Sequence, residues 1–141
     1  MRKILLLLFA GLTLGLVACS GGAASPKGAS AQQVTIQVSE FSYQPATIEV
    51  LVGQPVKLTL QNKGSVEHDW AIQKIPVIDV REAGQGGHNM GGTTTPDLHV
   101  SALNGKSAEL VFTPTRAGTY QVACTVAGHK EAGMVGTLIV K

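Results

Sequence analysis

Thr119-Tyr120-Gln121-Val122-Ala123-Cys124-Thr125-Val126-Ala127-Gly128-His129-Lys130-Glu131-Ala132-Gly133-Met134-Val135-Gly136-Thr137-Leu138-Ile139-Val140 reads as strand, loop, strand. Tyr120, Val122 and Cys124 fall on one face of a period-two segment, so Cys124 is expected to point between layers near the end of its strand. The run from Val135 to Val140 is an apolar strand. Between them a short loop holds a thiol, an imidazole and a thioether, all soft or borderline metal donors. Gly128 and Gly133 stand immediately before His129 and Met134. Glycine there lets the backbone bend and brings the next side chain close to a shared point.

The same alternation runs through the chain on the N-terminal side. Val34, Ile36 and Val38 alternate with Thr35, Gln37 and Ser39, and Phe41 and Tyr43 extend the pattern to Pro45. Ile48, Val50 and Val52 form a second face, closed by Gly53-Gln54-Pro55. Val56, Leu58 and Leu60 follow, up to the turn signal Asn62-Lys63-Gly64. Alternation resumes at Trp70 and Ile72. Residues 79–97, with five glycines, His88, Met90 and Pro96, read as a long excursion with at most a helical turn near Val80–Ala83. Order returns at Leu98, and Leu110 with Phe112 marks a strand ending at Pro114. About seven to eight short strands with turns between them and almost no helical periodicity predict an all-β Greek-key sandwich or barrel. Tyr120, just after Ala117-Gly118, is placed as a tyrosine corner, its hydroxyl bonding back to the backbone.

The N-terminus is organised differently. Met1-Arg2-Lys3 precedes an apolar run from Ile4 to Val17 of about 14 residues, the size of a signal-peptide core and short for a bilayer span. It ends at Leu16-Val17-Ala18-Cys19, which resembles a bacterial lipoprotein signal. That resemblance implies a leader over 1–18, a mature chain starting at a lipidated Cys19, and anchoring through the acyl chains. Residues 19–33, small and polar, read as a flexible linker, and 34–141 as the folded domain. The expected location is the outer face of a bacterial cell membrane or the periplasm. Arg2 and Lys3 account for the formal charge of +2, leaving nine basic against nine acidic residues. No basic footprint for nucleic acid remains.

With Cys19 acylated, Cys124 has no disulfide partner. An unpaired thiol outside the cytoplasm is a liability unless it is buried or occupied, and a metal would occupy it. His68, in Val66-Glu67-His68-Asp69-Trp70, begins a strand and reaches the same end of a sandwich if that strand lies beside the one carrying Cys124. His68, Cys124 and His129 then form a trigonal His₂Cys set with Met134 as a weak axial donor, an arrangement suited to one copper ion.

Phe41-x-Tyr43-x-Pro45, Asn62…His68-x-Trp70, Ala117-Gly-Thr-Tyr120…Cys124 and Cys-x₄-His-x₄-Met together resemble the cupredoxin family of small blue copper proteins, its auracyanin and azurin branches more than its plastocyanins. The resemblance spans 34–141. It implies a monomeric one-electron carrier, not an enzyme, cycling Cu(I) and Cu(II) between redox proteins such as cytochromes or membrane complexes of a respiratory or photosynthetic chain. The ligands land on His68, Cys124, His129 and Met134, and His129 is implied to meet partners through an apolar patch that includes Val126 and Ala127. Asp69 stands where the family commonly has asparagine, which braces the cysteine loop. The azurin disulfide has no counterpart.

Other readings stay open. The metal is cargo if the chain is a copper chaperone or sensor, which requires an exchangeable site. Cys124 with His129 is a nucleophile pair in outline, without an orienting third group. His88 with Met90 is a candidate second metal site, and His99 a rival imidazole ligand.

Overall fold

The computed structural model describes residues 30–84 and 95–141. The leader, Cys19, most of the linker, and the pair His88 and Met90 lie outside the described residues. In chain order the strands are β1 (Gln32–Ser39), β2 (Ser42–Gln44), β3 (Thr47–Val50), β4 (Val56–Asn62), β5 (His68–Ile72), β6 (Val77–Gly84), β7 (Leu98–Ala102), β8 (Ser107–Pro114), β9 (Gly118–Ala123) and β10 (Val135–Val140). They form two five-stranded sheets, ordered β2-β1-β4-β8-β6 and β3-β10-β9-β5-β7. The parallel pairs β1–β4 and β3–β10 are the crossings of a Greek-key sandwich.

The alternation becomes two facing apolar layers. Along β4, Val56, Leu58, Leu60 and Asn62 are buried while the residues between them are partly exposed. Ile36, Val38, Leu58, Leu110 and Phe112 of one sheet meet Trp70, Ile72, Val100, Val122 and Leu138 of the other. Trp70 and Phe112 stack between the layers at 6.3 Å. Each such side chain contributes roughly 1.5–3 kcal/mol through burial, an upper bound because denatured chains already bury some surface.

Among the described residues the sandwich has ten strands against about seven to eight expected. Part of the surplus comes from β2, which the alternation through Phe41 and Tyr43 merges with β1, whereas β3 stands where Ile48 and Val50 place it. Phe41 does not extend β1: it sits in the turn to β2 with a left-handed φ of 60°, and 48% of its surface is exposed. Residues 80–83 are strand, not a helical turn. β6 is the edge of its sheet and nearly all its side chains are exposed, so it carries no apolar period to detect. Asp79, at φ 56°, marks the register shift between Ile78 and Arg81. Tyr120 does form the expected corner, donating its hydroxyl to Arg116 O at 2.9 Å.

Candidate metal centre

Strand register assembles the centre. β5 and β9 are antiparallel with Ala71 opposite Ala123. Continued outward, that register sets Trp70 opposite Cys124 and Asp69 opposite Thr125, with His68 diagonal to Cys124. Period two then puts His68 and Cys124 on the inner face with Trp70 as neighbour, and Asp69 and Thr125 on the outer face. The loop after Cys124 returns His129 to the same end. Donor atoms of His68, Cys124 and His129 all lie within 4.8 Å of one another. Cys124 Sγ is 3.5 Å from His129 Nδ1, and the two imidazole rings are 4.9 Å apart between centroids.

The loop is a succession of tight turns. His129 N–H donates to Val126 O, Ala132 N–H to Gly128 O and Gly133 N–H to Lys130 O. Gly128 and Gly133 have φ of 82° and 99°, a region costly for residues with a Cβ. Met134 closes the loop: its N–H donates to His129 O at 2.9 Å and its carbonyl accepts from Cys124 N–H at 3.2 Å. Its side chain is completely buried.

On the other side, Asn62 shapes the approach to His68. Its Nδ2 donates to Val66 O and Ala102 O, and its Oδ1 accepts from Gly64 N–H, all at 2.7–2.8 Å. A Cβ at Gly64 would sit 2.8 Å from both His68 Nε2 and Glu40 Oε1, so the ring packs where only glycine fits. The Glu40 carboxylate accepts from Ser65 N–H and Ser65 Oγ, which hold its pKa down to about 2.

On the outer face, Asp69 is completely buried. Its Oδ1 accepts from Thr125 N–H at 2.7 Å, and its Oδ2 accepts from the Thr125 hydroxyl and lies 3.3 Å from His99 Nε2. Burial pushes the carboxyl up, but the bonds from His99 and Thr125 outweigh it and leave it below its ordinary value. Tyr43 Oη donates to Asp69 O at 2.6 Å. The expected bracing of the cysteine loop is therefore made by an aspartate.

His68, Cys124 and His129 converge, whereas His99 turns to Asp69 and Glu82 and does not join them. Phe41 meets the His129 ring edge-on at 5.4 Å. In the sequence Phe41 reads as a strand residue within Phe41-x-Tyr43-x-Pro45, Asn62 as part of the Asn62-Lys63-Gly64 turn and of Asn62…His68-x-Trp70, and Glu40 carries no signal.

The cluster needs a metal to complete it. Both ring nitrogens of His68 are buried without a hydrogen-bond partner, a costly state unless something binds them. Burial and the nearby His129 pull the His68 pKa down, which keeps the ring in its neutral, ligating form. Burial pushes the Cys124 thiol up to about 11 against the opposing backbone bonds from Asp69 and Val126, so a metal must displace its proton. Two imidazoles, a thiolate and a buried thioether nearby are the donor set of a type 1 copper centre.

Two facing Greek-key sheets with this donor set at one end define a cupredoxin-like domain. The chain belongs to that family: the cupredoxin-like domain family model matches residues 7–140. It is 31% identical over 125 residues to the copper-resistant cuproprotein CopI of Rubrivivax gelatinosus, covering 82% of this chain and 72% of that protein. It is 28% identical to Auracyanin-A of Chloroflexus aurantiacus, covering 99% and 97%. The dithionite-reduced auracyanin structure from Roseiflexus castenholzii superposes with a TM-score of 0.60 at 23% identity, over 81% of this chain and 99% of that one.

Proposed function

We propose that this chain is a membrane-tethered blue copper electron carrier, with His68, Cys124 and His129 as principal ligands and Met134 as the weaker fourth. The observation that carries the reading is the convergence of three donors around a histidine whose two nitrogens are buried and unpartnered. Copper, when bound, supplies a one-electron change between Cu(I) and Cu(II). The protein supplies a site that stays put. His68 is fixed by Asn62 and Gly64, Cys124 by its backbone bond to Met134 and by the Asp69–Thr125 bonds, and His129 by the loop turns. A donor set held this way moves little on electron transfer, which keeps reorganisation small.

His129 is the exit for the electron. It is half-buried, with exposed Phe41 against its ring and Val126 and Ala127 in the same loop, an apolar contact surface for a redox partner. That partner is a cytochrome or a membrane complex, and the monomer is held near it by acyl chains on Cys19 after export. No catalytic role is assigned: Cys124 and His129 are taken up as ligands.

The kinship with CopI favours a second reading, in which the bound copper is cargo in a copper-resistance system. Copper exchange separates the two. Copper that resists a competing chelator while cycling reversibly with a redox mediator supports the carrier, and copper lost to the chelator in seconds supports the cargo reading.

A further inference from the structure

His99 lies outside the donor cluster, yet it is wired to it. On β7 it pairs with Ala71, which makes it the diagonal neighbour of Asp69 on the outer face. Its Nε2 is 3.3 Å from Asp69 Oδ2, and its Nδ1 is 3.9 Å from Glu82 Oε1 on β6, the edge strand of the opposite sheet. Asp69 in turn holds both polar groups of Thr125, the residue after Cys124, and its own N–H is directed at the Cys124 sulfur. A completely buried carboxylate next to a half-buried imidazole is an arrangement whose charge depends on one proton.

Building on the copper-carrier reading, we propose that His99 is a positioning residue that acts through Asp69 on the cysteine loop, and that its protonation sets the redox potential of the site. Three acidic groups face His99 among the described residues: Asp69 and Glu67 from the β5 side and Glu82 from β6. Burial lowers its pKa, but the Asp69 bond and these three charges outweigh burial and raise it above the ordinary 6.5. With His99 protonated, the dyad with Asp69 is neutral overall. When His99 loses its proton, the full Asp69 charge is left beside the cysteine loop in a poorly screened interior. Oxidation of the site adds one positive charge, which an uncompensated carboxylate favours. The potential therefore falls as pH rises through the His99 titration, and by linkage His99 holds its proton more tightly in the reduced protein than in the oxidised.

The test starts with the wild-type protein. Imidazole NMR of the metal-free and Cu(I)-loaded chain follows His99, and potentiometry follows the copper-loaded chain over the same pH range. The expected result is a His99 titration above the ordinary range in the metal-free protein and a potential that declines through that titration. His99→Gln keeps an amide donor for Asp69 without a titrating ring; it is expected to retain the blue spectrum with a pH-independent potential. A wild-type potential that stays flat while NMR shows His99 titrating overturns the proposal, as does an unchanged slope in His99→Gln. Failure of the carrier reading is recognised separately, as a copper-loaded protein without blue colour. In that case the NMR titration of metal-free Asp69→Asn still decides whether Asp69 holds the His99 proton: a lowered His99 pKa supports the dyad and an unchanged one overturns it.

Discussion

The carboxylate of Asp69 accepts the backbone N–H of Thr125 at 2.7 Å across the outer face of β5 and β9, fastening the cysteine loop to the strand that bears His68. One ligand thus precedes the acceptor in sequence, and another precedes the donor. A change at this bond reaches both sides of the centre at once.

Asp69→Ala removes a buried acceptor and strands the Thr125 donors and His99. We expect a loss of about 3 kcal/mol in urea unfolding of the metal-free protein, with Asp69→Asn restoring most of it because the amide oxygen can still accept from Thr125 N–H. Equal losses in the two variants would mean that the charge, not the bond, holds the loop.

His99, Asp69 and His68 give the metal-free protein's stability opposing pH dependences. His99 is raised above its ordinary 6.5, so its contribution is fully present below about that pH and is lost as pH rises through the folded-state value. Asp69 is lowered below its ordinary 3.8, so its contribution is present above that value and is lost as pH falls through the folded-state value. His68 is lowered below its ordinary 6.5, so its contribution is present above that value and is lost as pH falls, opposing His99. The comparison that isolates His99 is with His99→Gln: between about pH 5.5 and about pH 8.5 the wild-type urea midpoint is expected to shift downward relative to that of His99→Gln, and parallel midpoints in the two would contradict the assignment.

Gly64→Ala places a Cβ against His68 Nε2 and the Glu40 carboxylate. Displacement of the ring should lower copper affinity by about 10–100-fold, as loss of ligand support does elsewhere, with a far smaller change in affinity at Gly53, where an added Cβ meets no atom and the cost of a φ of 73° falls on stability instead. Competition titrations with a copper chelator measure this; an unaltered affinity would show that the His68 ring has room to shift.

Cys19→Ser should release the chain from membranes. Fractionation of cells expressing the full sequence is expected to move it from the membrane pellet to the soluble exported fraction. Retention in the pellet would remove the lipid anchor from the account.

Much of the fold was legible because its strands have one face on a core, as in β4 and β9. β6 was not, since an exposed edge strand has no apolar face to repeat, and the Phe41 turn was hidden by apolar residues at the spacing of a strand. At the site, Cys124, His129 and Met134 share one loop and could be grouped by eye, while His68 joined them only on the supposition that β5 neighbours β9. The Asp69–Thr125 and Asp69–His99 pairs depend on register, on Ala71 facing Ala123 and His99, and no local pattern encodes which residues stand opposite one another. For the same reason His99 remained a rival ligand until the sheets were assembled.

The central claim is tested most directly by absorption and EPR spectra of the copper-reconstituted chain beside Cys124→Ser. The account predicts an intense blue colour in the oxidised wild type that bleaches on reduction, and its complete loss in Cys124→Ser. A wild type that binds Cu(II) without colour, or a Cys124→Ser protein that stays blue, would contradict it.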